Sequence, residues 1–497
     1  MERSETRNVA IVGAGVAGLC TAKTLMAQGL DCKVFERSEA FGGVWADGYL
    51  GYGVQVQKEL YEYPDWPLPA DTPDFTPGPL VRKYLEGYAA HFGLTPQIRL
   101  GTRVVALTAR EDSNVGWWVT LQDATGTRRE AFDSVVIATG LYSSIPYLPE
   151  FPGQEKFQGE ILHNSGLRSC DQLLDKRVAV LGYGKSATDA ALEAAKVARE
   201  THIIIREPHW PVPPKLAGIV PFKWGLLNRM TSALIPLYKR PSAGERFLHG
   251  PLEPLARMWW RGVETMLKVQ CGLGGRLEGG ENLVPDIPVE IDSFGESTMF
   301  PNAEFFRAIR RGRITAHRTG IASYQPSGVT LKDGRQLDLD LVILATGWRN
   351  DDSFFSEGLR QRLGFEDDGL YLYRHILHPE TPGLAFIGRV ATPSCILTAS
   401  LQARWLAEFL AGRHRLPDRA GMLREIEDMK VWKRTWMPYS SQRGARLQLH
   451  MLHYHDELLC DFGASPKRKK GLFAPIKELL APYEPSDYRS IVAGEQN

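Results

Sequence analysis

The short apolar run from Asn8 to Val12 ends in Gly13-Ala14-Gly15-Val16-Ala17-Gly18, after which the apolar positions change period. Leu19, Ala22, Leu25 and Met26 recur at helical spacing until Gly29 stops them, and Lys33-Val34-Phe35-Glu36 resumes a strand-like run. Strand, glycine turn, helix and strand in that order predict a β-α-β unit with parallel strands. The pattern recurs once: Arg177 to Leu181 reads as a strand, Gly182-Tyr183-Gly184-Lys185-Ser186-Ala187 as the turn, Thr188 to Arg199 as an alanine-rich helix, and His202 to Arg206 as the next strand. A further echo links Ser134 to Gly140 with Leu341 to Gly347, both apolar strands that end in Ala-Thr-Gly. The predicted fold class is α/β, with two Rossmann-like dinucleotide-binding domains and the second inserted into the first. Residues 1–165 and 335–497 are expected to form the first domain, and 166–334 the second. A Pro/Trp-rich insertion at about 207–300 fits neither unit and is expected to cover the active site.

The chain has 497 residues, too many for one ordinary core, which agrees with two domains. Lys and Arg (59) nearly cancel Asp and Glu (58), so no global field recruits nucleic acid, and basic character must be local, where phosphates are held. The six cysteines are scattered without C-x-x-C or metal-ligand spacing, which points to a reducing compartment and against a redox dithiol. The first seven residues are unlike a signal peptide. The longest apolar stretch, Ala217 to Tyr238, is broken by Pro221, Lys223, Arg229 and Pro236, so no membrane span is expected. The expectation is a cytoplasmic enzyme, with peripheral contact to an internal membrane left open. Oligomeric state is not legible.

The two turns carry the chemistry. Gly13 permits the tight turn, Gly15 lets the backbone approach a pyrophosphate, and Gly18 lets helix and strand pack closely, while the helix N-terminus favours the anion. Glu36 closes the second strand, where an acid accepts ribose hydroxyls, so this turn is assigned to FAD. The second turn, with Gly182, Gly184, Ser186 and Ala187, is G-x-G-x-x-A, and its second strand ends in Arg206 instead of an acid. A cation there suits the 2′-phosphate of NADPH, and the alternative is a solvated strand end.

Glu36 followed by Phe41-Gly42-Gly43-Val44-Trp45 resembles the second FAD signature of flavin-containing monooxygenases, class B flavoprotein monooxygenases. Phe157-x-Gly159-x-x-x-His163 resembles most of that family's fingerprint. Lys58-Glu59 with Tyr63-Pro64-Asp65-Trp66-Pro67-Leu68-Pro69 is similar to its segment beside the isoalloxazine, and Leu401-Gln402-Ala403-Arg404-Trp405 to its flavin-side helix. The resemblance implies cofactor contacts at Gly43, Trp45 and Gln402, and an amide beside the flavin at Gln55, where animal relatives carry asparagine. A surface loop is the alternative for Gln55. It also implies a cycle in which NADPH reduces FAD and a flavin hydroperoxide passes one oxygen atom of O2 to a nucleophilic nitrogen or sulfur of a lipophilic small molecule, in natural-product or xenobiotic metabolism.

Some features depart from that pattern. Baeyer–Villiger relatives, which convert ketones to esters or lactones, carry Trp-Pro where this chain has Leu167-Arg168. They remain the alternative. A flavin disulfide reductase needs a cysteine pair and usually Gly-Asp where Gly388-Arg389 stands, and a catalytically silent nucleotide-binding scaffold would show no NADPH turnover. His453-x-His455-Asp456 does not predict a metal, because residues two apart on a helix do not share a face. Lys467-Arg468-Lys469-Lys470 reads as a solvated run. Trp259-Trp260 and Phe222-Lys223-Trp224 read as core packing, with substrate lining the alternative.

Overall fold

A computed structural model describes residues 8–111, 116–142, 145–275, 281–296 and 301–495. The first seven residues therefore lie outside it, with the leader expectation that rests on them, as do parts of the 207–300 insertion.

Two five-stranded parallel sheets organise the chain. In the first, Asn8–Val12 is central. It is flanked on one side by Asp31–Phe35 and Ile98–Arg99, and on the other by Ser134–Ile137 and Leu384–Phe386. In the second, Arg177–Leu181 is central, with Glu200–Ile204 and Thr315–His317 on one side and Leu341–Leu344 and Glu160–His163 on the other. Each sheet carries a three-stranded antiparallel meander before its Ala-Thr-Gly strand: Arg103–Ala109, Trp117–Asp123 and Gly126–Phe132 in the first, and Ile321–Gln325, Gly328–Leu331 and Gln336–Asp338 in the second.

The central strands are apolar without alternation because both faces are covered. Val9 and Ile11 enter a large core that also takes Val178 and Val180, so the two units share it. Ala10 and Val12 point instead to the first meander, and Ala179 to the second.

The nested chain order agrees with the expected insertion, but its boundaries shift. Glu160–His163 and Leu341–Leu344, assigned from sequence to the first domain, both pair within the second sheet. Apolar strands of equal length carry no local label for the sheet they join, and pairing is set by long-range packing.

The insertion opens with a hairpin, Lys215–Leu216 against Val220–Pro221, followed by the helices Phe222–Leu226, Arg229–Leu234, Ala243–Leu248 and Glu253–Cys271. Core packing holds for Phe222 and for Trp260, whose indole donates to Leu234 O at 2.8 Å. It does not hold for Trp224 and Trp259, which are about half exposed.

Candidate functional site

The first turn closes by Gly13 N–H donating to Phe35 O at 2.8 Å and Ala138 N–H to Val12 O at 2.9 Å. Gly13 has φ +104°, and a Cβ there would stand 2.7 Å from Ala138 O, so only glycine fits against the Ala-Thr-Gly strand. Gly18 is tighter still: its Cβ would stand 1.9 Å from Gly13 O. Gly15 differs, since a Cβ would meet only the Gly43 backbone, at 3.6 Å from Cα and 3.8 Å from N. Folding alone therefore does not require glycine there, whereas a phosphate seated on the turn would. The helix that follows, Val16–Met26, has neither a side-chain cap nor an acid in its first turn, so its end is left to an anion.

Glu36 is buried. Its carboxylate accepts from Ala14 N–H at 2.8 Å and Ser38 N–H at 3.0 Å, which fixes it beside the turn. Gly42 N–H donates to Ala14 O at 2.8 Å, and Gly43, at φ +60°, packs against Gly15. The second signature thereby folds onto the first turn.

The second turn repeats this bonding, with Gly182 N–H to Ile204 O at 3.0 Å and Ala345 N–H to Leu181 O at 2.9 Å. Gly182 would meet Ala345 O at 2.5 Å, and around Gly184 nothing lies within 4 Å. The helix Lys185–Val197 likewise lacks a side-chain cap. The shared register makes Ile205, fully buried, the counterpart of Glu36. Arg206 stands one residue beyond, outside the strand, with its side chain 78% exposed and 3.7 Å from Glu207. Ser186 is half-buried and Ala187 buried behind it.

Sequence reasoning missed Lys185, a cation inside the turn itself. It pairs with buried Asp189, whose carboxylate also accepts from the Tyr49 hydroxyl at 2.8 Å. Burial raises the Asp189 pKa against the pull of Lys185. Tyr49 comes from the first unit, so this cluster joins the two. Beside it Leu50 N–H donates to Leu167 O at 2.8 Å, and Arg168 donates to Asp47 from both terminal guanidinium nitrogens. Leu167-Arg168, noted from sequence as a departure, is thus the clamp between the units.

Beside the first turn stands an aromatic cluster. Trp45 is buried, donates to Tyr61 Oη at 2.8 Å and stacks on Tyr52. Tyr142 is half exposed, yet burial raises its phenol. Burial also raises Tyr61 well above the usual phenol range and raises the Cys395 thiol, and these two groups interact. Ser394 Oγ donates to Leu60 O at 2.8 Å, which holds the start of the helix Cys395–Leu410 against the Lys58-Glu59 segment. Tyr63 Oη donates to Val16 O at 2.9 Å, and Asp65 pairs with Lys23, docking the Tyr63-Pro64-Asp65 segment on the first helix. Immediately before that segment, burial pushes Glu62 up to about 7.

Gln55 is exposed, and among the described residues its amide has no partner. Gln402 is fully buried: its carbonyl accepts from Gly388 N–H at 2.9 Å and its amide donates to Tyr454 Oη at 2.8 Å. It offers no free group, and instead fixes Gly388, which at φ +76° packs against Ala17 of the first helix. In the fingerprint, His163 Nε2 lies 3.2 Å from Gly347 O, tying the fingerprint strand to the second Ala-Thr-Gly end. His453, His455 and Asp456 turn to three partners, Glu245, Thr398 and Arg229, and form no common site.

Both turns fit a dinucleotide on the same grounds: an uncapped helix end, glycine where the fold alone does not demand it, and polar groups at the end of the second strand or on the helix. The model of the Flavin-binding monooxygenase-like family matches residues 6–237 and 296–494. The probable flavin-containing monooxygenase 1 of Arabidopsis thaliana is 28% identical over 98% of this chain and 97% of its own length. Mouse (Mus musculus) dimethylaniline monooxygenase [N-oxide-forming] 4 is 30% identical over 93% of this chain and 79% of its own. Among solved structures, the S-allyl-L-cysteine S-oxygenase of Allium sativum superposes with TM-score 0.63 at 20% identity, over 98% of this chain and 93% of that one. A cyclohexanone monooxygenase superposes with TM-score 0.68 at 17% identity, over 98% of both chains.

Proposed function

From the premise that the chain belongs to the Flavin-binding monooxygenase-like family and is an FAD- and NADPH-dependent monooxygenase, we propose that it transfers one oxygen atom of O2 to a nucleophilic nitrogen or sulfur of a lipophilic small molecule. The other atom leaves as water, with NADPH supplying two electrons. FAD, when bound, supplies the oxygen-activating chemistry, and the protein's part is to bind, orient and shield.

Gly13, Gly15, Gly18, Gly43 and Glu36 would hold FAD, with Gln402 acting through Gly388. Gly182, Gly184, Ser186 and Ala187 would hold the pyrophosphate of NADPH, with Lys185 as a further cation, and Arg206 would pair with its 2′-phosphate. Trp45 and Tyr61 would exclude water, and Gln55, exposed and without a partner among the described residues, would be the uncharged amide beside the flavin.

The observation that carries the choice of nucleophile is Leu167-Arg168, which stands where Baeyer–Villiger relatives carry Trp-Pro and whose Arg168 is paired with Asp47. The N-oxide-forming name of the mouse relative supports the same reading. The fold does not discriminate, since an S-oxygenase and a cyclohexanone monooxygenase superpose about equally well. Incubation with a tertiary amine, a thioether and a cyclic ketone, followed by mass spectrometry, tests it: N- or S-oxides should dominate, and a lactone as the main product would move the enzyme to the Baeyer–Villiger reading. A role in natural-product or xenobiotic metabolism belongs to the same proposal and follows the substrate found.

A further inference from the structure

The outer strand of the first sheet, Leu384–Phe386, runs on through Ile387 to Gly388, and behind Gly388 stands a chain of buried polar groups. A backbone N–H can only donate, so the Gly388 bond turns the Gln402 carbonyl toward the strand and its NH2 toward the helix Met451–Asp461. There the NH2 donates to Tyr454 Oη at 2.8 Å, and the same hydroxyl donates its one proton to Arg374 O at 2.6 Å. Gln402 and Tyr454 are both fully buried, and among the described residues Gln402 has no other partner. Burial raises the Tyr454 phenol above its usual range, so it keeps the proton it donates.

The far end of the chain is anchored under strain. Arg374 and His375 have φ +52° and +55°, the left-handed region that residues with a Cβ seldom enter. Their turn is held from both sides: Phe386 N–H donates to Ile376 O at 2.8 Å, and the Arg374 guanidinium pairs with Asp461 at 2.8 Å. Asp461 also accepts from the Trp405 indole at 2.8 Å, on the helix that carries Gln402. The Tyr454 ring meets His375 edge-on, with centroids 5.5 Å apart. At the near end Gly388 has no slack, since a Cβ there would stand 2.6 Å from the Ala17 Cβ. Ala17 lies in the first turn of Val16–Met26, the helix that follows the FAD turn. A shift of Gly388 is therefore passed to that helix end through close packing.

The geometry points to Tyr454 as a positioning residue of the flavin site, whose hydroxyl holds the Gln402 amide in the one orientation that fixes Gly388 and ties it to the braced Arg374 turn. Tyr454 acts through Gln402 and Gly388, and the inference rests on the reading that Gln402 serves FAD through Gly388. Without the hydroxyl, the Gln402 NH2 is buried without an acceptor, and relief comes only by moving the amide and Gly388 with it.

Tyr454→Phe keeps the ring and removes the hydroxyl. Release of FAD from the diluted holoenzyme, read by flavin fluorescence, should show binding weakened about tenfold. The visible circular-dichroism bands of the flavin that stays bound should change, and KM for NADPH should stay within about twofold of wild type. Gln402→Leu should weaken FAD binding at least as much, and adding Tyr454→Phe to it should cost little further, because the two side chains act in one chain. Tyr454→Phe with wild-type FAD affinity and unaltered flavin bands would overturn the proposal. So would full additivity of the two losses, which would leave Tyr454 as a brace of the Arg374 turn alone. Normal FAD binding by Gln402→Leu would instead remove the reading of Gln402, and the role of Tyr454 with it.

Discussion

The two nucleotide units are built alike and finished differently. Strand order, meander, closing Ala-Thr-Gly strand and turn bonding correspond element by element. In the first unit the turn is sealed: Gly18 touches Gly13 O, and buried Glu36 satisfies the turn's own Ala14 N–H. In the second, Ala187 replaces the third glycine, Ile205 stands where the acid would be, Arg206 is exposed, and Lys185 is committed to Asp189. A sealed turn with a fixed acid suits a cofactor that stays, and an open turn with cations suits one that exchanges at each turnover. On the proposed assignment, the lesson is that the fold would supply an anion site twice, while two or three side chains would decide which nucleotide enters and whether it leaves.

The largest expected effect separates the two turns. Gly15→Val leaves the fold room but obstructs a pyrophosphate, so the protein should purify colourless. Gly184→Val should remain yellow and lose reduction by NADPH. Losing two or more charge-assisted contacts predicts roughly a hundredfold or greater weakening in each case. A yellow Gly15→Val variant with full FAD would end the assignment of the first turn.

Arg206→Ala comes next. The loss of one charge-assisted contact costs about 1.5–3 kcal/mol, roughly tenfold to over a hundredfold in NADPH affinity. Affinity for NADH should be unchanged, and an unaltered preference between the two would return Arg206 to solvent.

The second sheet also carries a pH liability within its own strands. His202 and His317, 3.1 Å apart on neighbouring strands, are both lowered by burial, His317 to about 4. A depressed histidine means that the unfolded chain binds the proton first, so stability is full above about 6.5 and is lost as pH falls toward 4. The expected loss is on the order of 1–3 kcal/mol for this pair, and His317→Gln should reduce the acid dependence of thermal unfolding. Buried histidines elsewhere, such as His378 and His455, add to the same trend, so the difference between variant and wild type is the quantity to read.

Gln55→Leu should have the smallest effect. Loss of one hydrogen bond, about 0.5–1.5 kcal/mol, predicts at most about a tenfold rise in NADPH consumed without oxygenated product. FAD binding should be normal. An unchanged coupling ratio would make Gln55 a loop residue.

What the sequence exposed and what it hid follow from one distinction. Both turns and both Ala-Thr-Gly strands were legible, because backbone crowding at Gly13 and Gly182 dictates residue type within a few positions. The sheet that Glu160–His163 and Leu341–Leu344 join was not, since equally apolar strands compete for the same edges until the whole chain packs. Nor was the Tyr49–Asp189–Lys185 cluster, whose members are 140 residues apart in sequence. Arg206 was read from sequence as the strand end, but the strand ends at Ile204, and only the pairing register showed that Glu36 corresponds to Ile205. The Gln402 motif was visible, but its role in fixing Gly388 needed the fold.

The central claim is that the two turns cooperate to move one atom of O2 onto a nucleophilic nitrogen or sulfur. Turnover of the FAD-loaded enzyme with NADPH and a tertiary amine or thioether under isotopically heavy dioxygen tests it most directly. The account predicts one heavy oxygen atom in the product, in step with NADPH oxidised by the wild type and absent with Gly184→Val. Product oxygen drawn from water, or NADPH oxidation that yields no oxygenated product from any amine or thioether, would contradict it.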